Sequence, residues 1–205
     1  MTNLQISTGD HVSFAHRLLW DSAQRHIRIA AGQPPDDAWL LHLSAGLLAA
    51  ASFEAYLNYV GGEILPEVWS DERRYFSSGQ YRGTNGKLKR IAEEVGWPLP
   101  RRDRRPLSGV IELQALRDKM VHARPKKSTY RQVHKKGEWP DLPSTWLYRE
   151  APARRVLKLI SDVETLAVSL NNSVLGSEFG DLVFGVHPFI GIVGFATHSS
   201  IERVA

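Results

Sequence analysis

Arg117, Asp118 and His122 lie close together in LQALRDKMVHARP, residues 113–125. This stretch supplies a guanidinium, then a carboxylate, then an imidazole five residues beyond the arginine. RNA cleavage by attack of a 2′-OH on the adjacent phosphorus needs a proton acceptor, a proton donor and positive charge around the developing phosphorane. Histidine titrates near neutrality and can take either proton role. Arginine stays charged, and its fork grips two phosphate oxygens at once. A carboxylate beside an imidazole can orient the ring and bias its tautomer. Asp118 and His122, four apart, share a helix face, but five residues turn about 140° around a helix, so Arg117 and His122 do not. One helix therefore presents the pair poorly to a single phosphate. Two copies facing across a two-fold axis could surround it, each subunit supplying an Arg and a His. A plainer reading makes His122 a helix C-terminal histidine favoured by the dipole, with Arg117 a surface arginine paired to Glu112 or Glu54.

The surroundings of this motif are basic. Residues 101–136 hold twelve Lys/Arg against three acids, a net of +9, which leaves −5 for the rest of a chain whose total is +4. Such a patch suits polyanions, because phosphate contacts from Lys and Arg release counterions. Arg124, Lys126, Lys127 and Arg131 follow the motif and are the candidate RNA-binding residues. Trp139, Trp146 and Tyr148 interleave with positive charge and could stack on unpaired bases, although local packing is the preferred reading. His11, His16, His26, His42, His134, His187 and His198 read as structural or solvated, with His134 placed to assist substrate binding. The sequence suggests no metal cluster and no cofactor motif: neither a phosphate-cradling glycine loop, an HExxH helix nor a GxSxG elbow. The chain has no cysteine. That excludes disulfides, thiol nucleophiles and cysteine-bound zinc, and it suits a cytoplasmic setting.

The elements that must carry these residues are mostly helical. Apolar residues Phe14, Leu18, Ala23, Ile27 and Ala30 predict an amphipathic helix over 13–31, stopped by Gly32, Pro34 and Pro35. A long, nearly all-apolar helix is expected from Asp36 and Asp37, read as its caps, to about Gly61 or Glu63, as the centre of a bundle. A short helix is expected over 66–74, a loop over 79–86 and a helix over 87–95. Residues 98–106 form a basic linker. Ser108 is read as the cap of the motif helix, with Ile111, Leu113, Leu116 and Met120 inward and an end near Ala123, ahead of Pro125. Residues 126–144 read as a long loop or short hairpin. Residues 153–174 form the last helix, with a four-three apolar seam suited to packing within or between subunits. After Gly176 the chain turns rich in Val, Ile, Phe and Gly and reads as an extended or hairpin-like tail, packed on the body or on a partner copy. The apolar runs at 39–53 and 182–196 each fall short of the roughly 20 residues a bilayer needs, so no membrane partner is expected. No secretory signal is read at the N-terminus.

Taken together, three stretches resemble the HEPN family over residues 40–173. The first is Arg117-Asp118 followed by His122 near a helix end. The second is LLAAASFEAYLNYVGGEIL, residues 47–65, where a small-residue run leads to Glu54 and Asn58. The third is GKLKRIAEEVG, residues 86–96, similar to a connecting helix of several HEPN families. The resemblance implies an all-α HEPN-like bundle over residues 1–175, with a motif-bearing core at about 36–173 and a tail at 176–205. It also implies a homodimer that brings two motifs to one cleft. Many such proteins are metal-independent endoribonucleases, toxins and phage-defence effectors among them, and others only bind. Arg117 and His122, with Asp118 in place of the commoner Asn, would be catalytic, while Glu54 and Asn58 would support Arg117 or stitch the bundle. A neutralising antitoxin or regulatory partner is expected for an active nuclease. The competing functions are a non-catalytic module for RNA, nucleotide or protein, and a DNA-binding regulator. The regulator ranks last because no helix-turn-helix with a basic recognition helix is apparent.

Overall fold

The computed structural model describes residues 5–122, 146–183 and 185–203, with side chains described over 13–122, 147–183 and 185–194. The chain is predominantly helical and forms a helical bundle. In order it contains β1 (Gln5–Ser13), α1 (Ala15–Ala30), α2 (Pro35–Ile64), α3 (Pro66–Trp69), α4 (Glu72–Tyr75), α5 (Gly83–Glu94), α6 (Leu107–Val121), α7 (Trp146–Glu150), α8 (Ala153–Leu175) and β2 (Gly194–Arg203).

The bundle is organised by α2. Ala45, Ala49, Ala50, Phe53, Tyr56, Leu57 and Val60 are buried on it, and it packs against α1, α5, α6 and α8, with α6 also on α8. The run of Gly and Ala on α2 sets these distances. A Cβ on Gly61 would collide with the Trp69 indole, so α3 folds back onto α2 only because that position is glycine. By length and composition α2 is the one helix among the described residues able to cross a bilayer, and half of its most apolar window is buried against the other helices. The apolar run at 39–53 is therefore part of a continuous helix of 30 residues.

Several local expectations are corrected. On α1 the inward face runs through His16, Arg17, Trp20, Ala23 and Ala30, whereas Leu18 is 57% exposed. On α2, Leu40 is exposed, and the helix starts at Pro35 with Pro34 as its cap residue. Asp36 and Asp37 sit in the first turn, where their charge favours the positive end of the dipole. Residues 66–74 form two single-turn helices rather than one, and α5 starts at Gly83, four residues earlier than its apolar pattern suggests. Pro106, not Ser108, occupies the cap position of α6. Residues 146–150, between the stretch read as a loop and the last helix, are helical.

The tail is extended over 194–203, as expected, but its partner lies at the other end of the chain. β2 pairs antiparallel with β1, Gln5 opposite Arg203 and Ser13 opposite Gly194, with an irregularity between Thr8 and Gly9. Between α8 and β2 a strap of residues 185–193 crosses the bundle. Gly185 and Gly191 take positive φ beside the Arg17 guanidinium. Arg17 Nη1 donates to the Ile192 carbonyl at 2.9 Å, and the Phe14 amide donates to Val193 O at 2.7 Å.

Candidate active site

Arg117 sits in the penultimate turn of α6, facing α2. Its Nη2 lies 3.5 Å from Glu54 Oε2 and its Nη1 donates to Asp118 Oδ1 at 3.1 Å. The other Glu54 oxygen, Oε1, is 3.5 Å from Lys87 Nζ. Lys87, on α5, is only 4% exposed and also binds Glu72 and, at 2.8 Å, Asn58 Oδ1. Trp69 Nε1 reaches the same Asn58 oxygen at 3.4 Å. The result is a chain of polar groups across four elements: Asp118, Arg117, Glu54, Lys87, then Glu72 and Asn58. Lys87 satisfies a buried ammonium with two carboxylates and an amide oxygen, as burial of a charge demands. Gln114, one turn before Arg117 and nearly buried, donates to Ala50 O at 3.2 Å and ties α6 to α2.

These groups line an open cleft of about 470 Å³ between α4, the start of α5, and α6. Glu54, Glu72, Lys87, Gln114, Arg117 and Asp118 line it together with Arg73 and Arg82. Of the two acids considered as partners of Arg117, Glu54 is the one within ion-pair distance. Glu112, the other acid considered for Arg117, pairs instead with Arg155 at 2.5 Å.

His122 caps the C-terminus of α6. Its amide donates to Asp118 O at 3.0 Å, and its ring is exposed with no hydrogen bond or ion pair among the described residues. It does not line the cleft that Arg117 and Asp118 line. The expectation that Asp118 orients His122 is therefore corrected within one chain: its carboxylate turns to Arg117. The reason is the turn of about 140° between positions 117 and 122, which sends one residue toward α2 and the other toward solvent. Arg124, Lys126, Lys127, Arg131, His134 and Trp139 lie outside the described residues.

Tyr148 serves packing. It stacks on Trp39 at 4.1 Å and donates to Asp36 at 2.6 Å. Among the described residues no group of three or more His, Asp or Glu is placed to hold a metal ion. Lys87, Glu72 and Arg82 escape sequence reasoning because lysine, glutamate and arginine in short polar helices read as solvent-facing. The available signal is that Lys87 stands four residues before the buried Ile91 and directly before Leu88, on the inward side of α5. Compared with protein-family models, curated proteins and solved structures, the chain matches none of them.

Proposed function

We propose that this chain is a metal-independent endoribonuclease of the HEPN type, acting as a homodimer, with Arg117 and His122 of both copies around one scissile phosphodiester. The observation that carries the reading is the state of Arg117. Its guanidinium is braced by Glu54 and Asp118 at the lip of an open cleft, so it is oriented yet still reachable, while the exposed imidazole of His122, without a partner among the described residues, stands five residues further along the same helix. A braced arginine loses little freedom on meeting phosphate, which makes its charge effective in the transition state.

In this mechanism one His122 takes the proton of the ribose 2′-OH as its oxygen bonds to phosphorus. The His122 of the other copy gives a proton to the departing 5′-oxygen. The products are a 2′,3′-cyclic phosphate and a 5′-hydroxyl end. The two Arg117 side chains stabilise the negative charge that builds on the non-bridging oxygens. Asp118 and Glu54 act on Arg117, not on the proton donor, and an antitoxin or regulatory partner would restrain the activity.

The purified chain should cut RNA in the presence of EDTA, and light scattering should show a dimer. His122→Ala and Arg117→Ala should each slow cleavage by at least about a hundredfold, the usual contribution of a general acid–base or a positioned charge. Neither should alter the helical circular dichroism. Full activity in both variants, or a strictly monomeric enzyme, would sink the assignment. One feature favours a second reading, a non-catalytic RNA- or nucleotide-binding module: within one chain His122 and the cleft are separate. That reading predicts salt-sensitive RNA binding without turnover, weakened when Lys126, Lys127 and Arg131 are neutralised.

A further inference from the structure

The cleft holds three carboxylates, and all three are already engaged. Glu54 and Asp118 hold Arg117, and Glu54 and Glu72 hold Lys87. Arg73 and Arg82 line the same cleft with no carboxylate partner among the described residues, and both are exposed. They come from different elements, Arg73 from α4 and Arg82 from the residue before α5. What joins them is the closure of the intervening loop, where the Gly83 amide donates to Phe76 O at 3.0 Å and Gly83 takes φ +66°. Two exposed guanidiniums lining one cleft, without a counter-anion among the described residues, fit a phosphate oxyanion.

Arg82 and Asn85 also line a second cleft, of about 510 Å³, whose walls include Leu88, Leu99, Leu107 and Ile111. Asn85 Oδ1 is buried at this divide and has no hydrogen-bond partner among the described residues. A buried amide oxygen left unpaired is costly, and a small turn of the Asn85 side chain toward a hydroxyl or amino group of a ligand would satisfy it. Arg82 and Asn85 therefore join a cationic rim to a hollow of mixed polar and apolar lining. A nucleotide likewise joins a charged phosphate to a flat base with apolar faces and polar edges.

We propose that the ridge of Arg82 and Asn85 is a nucleotide subsite of the bound RNA, one phosphate held by Arg73 and Arg82 and the adjoining base seated in the second cleft. It rests on the reading of the chain as RNA-directed, and it adds a phosphate other than the one Arg117 faces. The subsite sets how the strand is threaded past Arg117.

The test measures binding of a short, mixed-sequence 2′-O-methyl oligoribonucleotide, which cannot be cleaved, by fluorescence anisotropy across a salt series. Arg73→Ala/Arg82→Ala should reduce the slope of log affinity against log salt by about 0.7, the single-strand value for the one phosphate the two arginines share. Arg74→Ala should leave the slope unchanged, since Arg74 pairs with Asp71 and is not in the cleft. An abasic oligomer of the same backbone should bind the wild type about tenfold more weakly, as expected for loss of one seated base. A 5′-hydroxyl oligomer binding as well as a 5′-phosphorylated one assigns an internal phosphodiester, and dependence on the 5′-phosphate assigns a terminal one. An unchanged slope in the double variant, an equal drop with Arg74→Ala, or equal binding of the abasic strand would overturn the subsite. Because the probe cannot be cut, these outcomes are independent of whether His122→Ala abolishes turnover. No binding at all by the wild type would instead remove the RNA-directed reading beneath it.

Discussion

Among the described residues two cationic side chains, Arg17 and Lys87, are buried, and their surroundings differ. Arg17, 2% exposed, lies under the strap, donates to a carbonyl, and sits 4.9 Å over the Phe14 ring. Lys87 is equally hidden but bonded to two carboxylates and an amide at the floor of an open cleft. A guanidinium held by backbone and aromatic groups serves as a fixed tie, because its partners cannot trade it for another charge. An ammonium held by Glu72 and by Glu54, which also holds Arg117, is part of an electrostatic network, and an incoming phosphate can redistribute it. The first arrangement suits structure and the second suits binding.

The sharpest way to break this contrast is to remove the tie. Arg17→Ala should destabilise the fold by about 3 kcal/mol, through lost packing and an orphaned Ile192 carbonyl. It should also make residues 185–193 sensitive to protease, while leaving any RNA binding at the cleft intact at low temperature. If denaturant unfolding shows a loss below about 1 kcal/mol, the strap does not depend on Arg17.

Acid probes the same end of the molecule. His16 is buried against Tyr56, Tyr59 and Phe14, and that burial, together with neighbouring Arg17, holds its pKa down to about 4 from 6.5. A folded pKa below the unfolded one means that the neutral ring is favoured in the fold. Its stabilisation is complete above pH 6.5 and is lost as pH falls through 4, amounting to roughly 3 kcal/mol across that window. A His16→Phe variant should flatten this part of the stability–pH curve. A curve unchanged by the substitution would place the acid sensitivity elsewhere.

The cleft should respond more mildly. Lys87→Met should cost about 1–2 kcal/mol, since Glu54 and Glu72 are partly exposed and can rehydrate. Glu54→Gln should cost less than about 1 kcal/mol of stability yet slow cleavage roughly ten- to a hundredfold by loosening Arg117. Equal loss of stability in Arg17→Ala and Lys87→Met would erase the distinction between the two ends.

Much of this architecture is legible in the sequence. The 3.6-residue apolar period and the Gly–Pro stops place α1, α2, α6 and α8 within a few residues, because those helices bury broad faces. The link between Glu54 and Arg117 is legible only as one of two choices, since Glu112 on the same helix as Arg117 is an equal candidate until its pairing with Arg155 is seen. β1 is not legible: its partner is almost the whole chain away, and a strand in a two-stranded ribbon carries little alternating pattern of its own. Leu18 is exposed because Trp20, with the aliphatic stem of Arg17, fills the inward face, and periodicity alone does not show which flank that is. Lys87 is hidden for a different reason. Its role depends on acids from α2 and α4, and no local pattern reports a partner that distant.

The pairing of Gln5 with Arg203 brings the two ends of the described backbone side by side. Tension applied at these ends would load the ribbon's hydrogen bonds one rung at a time, peeling it open at low force before any helix was strained. By the same geometry, a short peptide joining the ends would leave the bundle intact. New termini cut into the exposed segment at 98–106 would then give a rearranged chain with the same fold.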